Sequence, residues 1–314
     1  PPPVSTASAV PVTVGELEGD EALETLRRTG RRRLLLDAFT RLRAADGFSH
    51  ARALAFQMTL TLIPALIAVV GFAEAVDQER VREVVRAGLQ GVAPGASGDV
   101  LTAAIDQGSR SGGGGVPALL GGLAAALFAG TIAMAQVERG ANRIYGLERD
   151  RDPVLRYGLA LLLACTAGVL VLSVLAILVV GDALGRAAGV SDELELAWRL
   201  GRWPLGLLLL GAATALLFAR VPRRRQPEPS WLAVGAGLSM VLWLAFTAAL
   251  AVVVDASGNF GATYGPLAGM IAVLLWAFLT ALALLFGLAF AAQLEAVRAG
   301  VPGPRVDRAV NTPP

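Results

Sequence analysis

The chain has 314 residues, of which 55% are hydrophobic and 17% are charged. Soluble globular proteins average about 25% charged residues, so this composition argues against an ordinary soluble protein. The formal net charge is only +2, and every one of the 27 basic residues is arginine. The distribution of arginine along the chain is therefore more informative than the total.

The first 45 residues divide into two segments. Proline, glycine, serine and acidic residues dominate the start, which predicts a disordered tail over residues 1–30. Residues 31–45 instead place Leu35, Phe39 and Leu42 at i, i+4 and i+7, with arginine on the other face. This spacing predicts an amphipathic helix in the membrane interface, attracted to anionic lipid headgroups.

Six long apolar blocks follow, and each is long enough to span a bilayer core, which needs about 20 residues. The blocks are Ala53–Ala73, Val116–Val137, Tyr157–Gly181, Trp203–Ala219, Trp231–Val254 and Gly261–Ala292. Helices satisfy all backbone polar groups within lipid. The sequence therefore predicts an all-α polytopic membrane bundle of six transmembrane helices over residues 31–297, with additional interfacial amphipathic helices.

The connection between spans one and two has helical periodicity. Val81–Val92 repeats valine and leucine at helical spacing, and Val100–Ile105 adds a further turn or two. Two interpretations stay open, a helical cap on the outer side or helices that merely pack on the bundle.

Arginine is concentrated in alternate connections. It is abundant before span one, after span two, after span four and in residues 298–314, whereas the other connections balance arginine with acidic residues. Positively charged segments stay in the cytoplasm. We therefore expect both the N-terminus and the C-terminus to be cytoplasmic, and a disordered tail over residues 298–314.

Polar residues near the span ends are candidates for a substrate path. They are Gln57 and Pro64 in span one, Asn142 after span two, and Asn259 and Tyr264 between spans five and six. The alternative role for each polar side chain is an interhelical hydrogen bond that only stabilises packing. Pro64 can also kink span one.

Glycines at intervals of four predict a close helix contact at the start of span six. Gly261, Gly265 and Gly269 form a smooth stripe along which another backbone can approach. We assign these residues to helix packing rather than to a ligand site.

Several chemistries lack the residues they need. His50 is the only histidine and Cys165 the only cysteine, so we expect no metal site, no cofactor and no catalytic residue. The basic residues follow the positive-inside pattern and are not interleaved with stacking aromatics, so we expect no nucleic-acid partner.

The chain resembles the YihY/BrkB family of bacterial inner-membrane proteins, once described as ribonuclease BN, over roughly residues 35–297. The resemblance is carried by Ala53–Phe56 with Ile63 and Pro64 in span one, Ala141–Gly146 with Arg156 after span two, and Tyr264, Gly265, Trp276 and Leu285–Ala292 in span six. It implies six helices with both ends inside. It also implies that the ribonuclease label is a misassignment, and that some relatives act in envelope lipid or lipopolysaccharide export and in serum resistance.

The leading functional hypothesis is transport or export of a lipid-like or amphiphilic envelope molecule. The alternative is a non-transporting membrane scaffold, and a ribonuclease is a third, less favoured hypothesis. Membrane lipids and an amphiphilic substrate are the expected partners. The sequence leaves open a homo-oligomer or an envelope protein partner.

Overall fold

A computed structural model describes residues 5–13, 19–75, 115–187, 192–256, 267–301 and 303–306. Within these ranges the chain forms eight α-helices and no β-strand. The helices are α1 (Gly19–Thr29), α2 (Arg31–Ala44), α3 (Gly47–Ala75), α4 (Val116–Ile144), α5 (Pro153–Ala187), α6 (Asp192–Arg220), α7 (Pro229–Ala256) and α8 (Leu267–Arg298). The predicted all-α fold is confirmed.

Helices α3 to α8 are long and apolar enough to cross a membrane. The first five of these helices contain their predicted span and extend beyond it at one or both ends. The fourth span is extended most relative to its prediction, because α6 begins at Asp192 rather than at Trp203. Pro204 lies inside this helix. The predicted sixth span began at Gly261, but residues 257–266 lie outside the described part of the chain, and α8 is described from Leu267.

The six long helices pack in chain order. Each contacts the next one along the chain, and α8 contacts α3, so the contacts close into a ring. Helix α8 also contacts α1, α2 and α4. The ring brings four parts of the chain to one end, namely the N-terminal segment with α1 and α2, residues 145–152 between α4 and α5, residues 221–228 between α6 and α7, and the end of α8. We call this the arginine-rich end.

Packing is dense at the arginine-rich end. Every residue of α8 from Gly287 to Ala296 is buried, because α8 is enclosed by neighbouring helices on all sides there. A helix that is apolar all round belongs in such a position. This end of the ring is therefore closed.

Helix α7 has fully buried side chains at one end only, among those described. Trp231, Leu232 and Ser239 are buried near the arginine-rich end, but no described side chain from Met240 to Val254 is buried. Buried residues make up only 6% of the most apolar stretch of α7, against 33% of the corresponding stretch of α8. The second half of α7 is thus less enclosed than its first half, although Trp243, Thr247 and Leu250 are half-buried along one side.

Two pairs of helices approach closely at glycines. A methyl group built on Gly122 of α4 would lie 2.5 Å from the backbone nitrogen of Ala68 in α3. A methyl group on Gly287 of α8 would lie 2.5 Å from the carbonyl oxygen of Gly235 in α7. The contact at Gly122 lies near the end of the spans away from the arginine-rich end, and the contact at Gly287 lies near the arginine-rich end.

The predicted glycine stripe is only partly within the described residues. Gly269 is buried in the first turn of α8, which starts at Leu267. Gly261 and Gly265 lie outside the described residues. The sequence pattern did not indicate the contacts at Gly122 and Gly287, because a glycine contact depends on which face of the helix meets its neighbour.

The N-terminal segment differs from the disordered tail predicted over residues 1–30. Residues 19–29 form α1, and residues 5–13 cross the arginine-rich end, where Thr6 donates to the Ala44 carbonyl and Val10 to the Tyr145 carbonyl. Composition predicted disorder because the segment lacks an apolar core of its own. Its partners are backbone carbonyls and charged side chains supplied by distant parts of the chain.

The C-terminal tail also begins with ordered contacts. Residues 299–301 and 303–306 are described, and the amide of Ser8 donates to the Pro304 carbonyl at 3.1 Å. Residues 307–314 lie outside the described part of the chain. So do both predicted outer helices, Val81–Val92 and Val100–Ile105.

Helix α2 forms where it was predicted. Leu35 and Phe39 of the predicted apolar face are exposed, which is compatible with the predicted interfacial position, whereas Leu42 of that face is buried. Leu34, Ala38 and Arg41 are buried as well, so α2 packs on the protein through a neighbouring face.

Candidate functional site: a buried arginine network

The predicted path residues are not gathered at one place among the described residues. Gln57 and Pro64 lie half-buried on α3, two turns apart, while Asn142 is fully buried at the end of α4. Asn259 and Tyr264 lie outside the described part of the chain. A shared substrate path through all five residues stays a prediction.

Asn142 joins two connections at the arginine-rich end. Its amide nitrogen donates to Asp150 Oδ1 at 3.0 Å, and its amide oxygen accepts from the backbone nitrogen of Arg223 at 2.8 Å. Both amide atoms are thus engaged with protein partners. The geometry favours the packing alternative for Asn142, because the side chain holds residues 145–152 against residues 221–228.

Further arginines strengthen the same junction. Arg151 pairs with the buried Glu138 at 3.1 Å and donates to the carbonyl oxygens of Val221 and Pro222. Arg223 donates in return to the Asp150 carbonyl at 2.7 Å. The two connections therefore form one hydrogen-bonded unit.

Arg41 is the most deeply buried arginine of this network. Its side chain is fully buried, Nε donates to Gln293 Oε1 at 2.8 Å, and Nη1 donates to the carbonyl oxygens of Ser8 and Ile144. Burial lowers the pKa of Arg41 from 12.5 to about 10, so the guanidinium stays protonated at neutral pH. One charged side chain thus connects α2, α8, the end of α4 and the N-terminal segment.

Arg224 and Glu295 form a second buried centre. The two side chains are in direct contact, Glu295 also accepts from the Thr13 hydroxyl at 2.7 Å, and both are almost fully buried. The Arg224 guanidinium lies over the Tyr145 ring, 4.7 Å from its centroid. Burial raises the pKa of the Tyr145 phenol above its ordinary value of 10.0, so the phenol stays neutral.

The N-terminal segment covers this centre. Arg224 donates to the carbonyl oxygens of Val10 and Pro11, while Thr13 donates to Glu295. The turn after α4 fits tightly beneath the segment, because Gly146 has a φ of 73° and a methyl group there would lie 2.6 Å from the Cα of Ala9. The segment thus seals the arginine-rich end from the side away from the spans.

Sequence reasoning missed the role of Arg41, Tyr145 and Arg224. Arg41 and Arg224 counted only as part of the positive charge that marks a cytoplasmic end. Gln293 and Glu295 were the available signal, since a polar pair at the end of an apolar span calls for partners. Among the described residues, no three His, Cys, Asp or Glu side chains are grouped so that they could hold a metal ion.

Comparison with known proteins identifies the family. The family model described as virulence factor BrkB matches residues 38–309, which is most of the chain. The chain belongs to the BrkB family. The resemblance seen in the sequence is therefore confirmed, and the match includes α3 to α8 together with most of the buried network.

A curated relative of this BrkB-family chain comes from Bacillus subtilis (strain 168) and is named "Putative ribonuclease-like protein YfkH". It is 24% identical over 257 residues, which cover 81% of this chain and 92% of the relative. No solved structure is significantly similar to the chain.

Proposed function

We propose that this BrkB-family protein resides in the bacterial inner membrane and moves a lipid-like or amphiphilic envelope molecule across it or out of it. The observation that carries the proposal is the exposed second half of α7, where no described side chain from Met240 to Val254 is fully buried. The arginine-rich end is placed in the cytoplasm, with both termini, because cytoplasmic connections carry the excess of arginine.

The exposed second half of α7 offers a route between the ring and the surrounding lipid. The helix is fixed at the arginine-rich end by Trp231, Leu232 and the Gly235–Gly287 contact. Its other half has no fully buried described side chain up to Val254, so it is less enclosed by its neighbours. On this proposal the exposed half moves sideways to admit an amphiphile.

The network at the arginine-rich end supports the same proposal. A transporter has to keep one end shut while the other is accessible, otherwise ions leak through the membrane. Arg41, Arg224 and Glu295 hold that end shut with paired and hydrogen-bonded charges beside the buried apolar residues of α8. Opening this end requires the N-terminal segment to leave its guanidinium partners.

Transport is tested in proteoliposomes that contain the purified protein and fluorescent lipids with several different headgroups. The proportion of label on the outer leaflet is followed with a membrane-impermeant quencher. We expect exchange between leaflets to be faster than in protein-free liposomes for at least one headgroup. Exchange no faster than in liposomes holding an unrelated six-span protein, for all headgroups, would contradict the proposal and favour a membrane scaffold.

The proposed opening beside α7 is tested separately by chemical labelling. Single cysteines replace Val241, Leu244 or Val252, all exposed, in a Cys165→Ala background. We expect an impermeant maleimide added from the periplasmic side to modify at least one position, because an opening admits water whereas a lipid-facing surface does not. Uniform protection at all three positions would mean that α7 faces only lipid.

The name of the Bacillus relative suggests ribonuclease activity as another candidate. Metal-dependent cleavage of RNA by the purified protein, lost on chelation, would support it. We expect no cleavage above that of a mock purification, because no described residues are grouped as ligands for a hydrolytic metal ion.

A further inference from the structure

The arginines of the arginine-rich end fall into two classes. One class points inward and binds protein carbonyls and carboxylates, as Arg41, Arg151 and Arg224 do. Arg32 and Arg43 of α2 belong to the other class. Both are exposed, and their side chains make no hydrogen bond or ion pair with any described residue. The positive-inside pattern alone does not distinguish the classes.

Helix α2 presents a mixed stripe on the face opposite its buried one. Arg32, Leu36, Phe39 and Arg43 are spaced by four, three and four residues, so they align along one side of the helix. Leu36 is 57% exposed and Phe39 is 41% exposed. Two uncovered apolar side chains are thus bracketed by two unpaired guanidinium groups.

The stripe adjoins the surface of the first span that faces lipid. The Phe39 ring packs edge-to-face on Phe48, near the start of α3, with the ring centroids 6.1 Å apart. Phe56, Leu60 and Ile63 continue along α3 as exposed apolar side chains. An exposed apolar face on a membrane span contacts acyl chains, so the neighbouring stripe lies at headgroup depth.

We propose that the α2 stripe is a binding surface for anionic phospholipid headgroups in the leaflet at the arginine-rich end. Arg32 and Arg43 bind the phosphates, since a guanidinium matches phosphate geometry. Leu36 and Phe39 insert at the boundary between headgroups and acyl chains. The inference does not depend on transport, because it concerns only where α2 lies and which lipids surround it.

The depth of α2 is measured with a spin label at Leu36→Cys in a Cys165→Ala background, in nanodiscs containing phosphatidylglycerol. We expect the label to collide with dissolved oxygen more than with a water-soluble nickel chelate. A label at the exposed Glu148, on the connection between α4 and α5, serves as the aqueous reference. Equal chelate access at both positions would overturn the proposal. This measurement leaves every arginine in place.

Lipid preference is measured in the same nanodiscs as the immobilised fraction of spin-labelled phosphatidylglycerol relative to phosphatidylcholine. We expect Arg32→Gln with Arg43→Gln to lower the relative affinity about tenfold, since each arginine near an anionic surface contributes several-fold. The matched control removes two exposed arginines elsewhere at the same end, Arg149→Gln with Arg225→Gln. An equal loss in both double variants would mean general charge attraction and would overturn a specific surface on α2.

Discussion

Arg224→Ala is expected to destabilise the protein by roughly 3–5 kcal/mol, the usual cost of removing one partner of a buried ion pair. Glu295 would be left in a fully buried position without its cation, and the carbonyl oxygens of Val10 and Pro11 would lose their donor. The measurement is the temperature at which half of the monodisperse protein is lost in detergent. We expect this temperature to be much lower for Arg224→Ala than for the wild-type protein.

The adjacent arginine provides a matched control. Arg225 is exposed, so Arg225→Ala is expected to change stability by no more than about 0.5 kcal/mol. Removing both members of the buried pair, with Arg224→Met and Glu295→Met, should recover part of the loss because no charge is then left unpaired. An equal loss of thermal stability in Arg224→Ala and Arg225→Ala would show that the buried pair does not hold this end together.

The contrast between these neighbours shows what hydropathy can and cannot predict. The six spans were predictable because each needs about 20 apolar residues, a signal that a short window of sequence contains. The burial of Arg224 was not predictable from a short stretch of sequence, since it depends on Glu295 in α8 and Thr13 in the N-terminal segment. Such partners are distant in sequence and meet only after the ring has closed.

Helix α2 illustrates the same limit within a single element. Arg41 and Arg43 are two residues apart, so they lie on opposite sides of the helix. Arg41 is completely buried on Gln293 and the Ser8 carbonyl, whereas Arg43 is exposed. The position of the helix was predictable from periodicity. Which side would be buried was not predictable, because the partners of Arg41 are distant in sequence.

The candidate site was predicted less well than the fold. Asn142 was predicted as a substrate-path candidate with helix packing as the alternative, and its hydrogen bonds join two connections, which favours packing. The role predicted for Asn259 and Tyr264 stays a prediction, because both lie outside the described residues. A polar residue near a span end is therefore a sound signal of a buried partner and a weak signal of a substrate.

The arginine-rich end and the second half of α7 differ in how they are packed. The arginine-rich end uses directional hydrogen bonds and paired charges, which define one arrangement and are costly to break. The second half of α7 has only half-buried and exposed side chains among those described. This difference supports the proposed movement of an amphiphile past α7.

Gly122→Val should disrupt the contact between α3 and α4 and reduce the yield of folded protein severely. A methyl group at this position would lie 2.5 Å from the Ala68 nitrogen and 2.9 Å from the Pro64 carbonyl oxygen. Both neighbours are backbone atoms of α3, so no side-chain rotation relieves the overlap and the helices must separate. Overpacking of this kind typically costs 1–3 kcal/mol or more. The readout is the monodisperse fraction after extraction from the membrane.

The preceding residue is a stringent control, because Gly121→Val adds the same side chain to the same turn of α4. A methyl group on Gly121 would have nothing within 4 Å. Both variants carry the same change in helix propensity, so a difference between them reports the contact alone. We expect Gly121→Val to give a wild-type elution profile. Equal damage by both substitutions would show that α4 rather than its contact with α3 had been disturbed, and equal tolerance would show that the two spans are further apart than described.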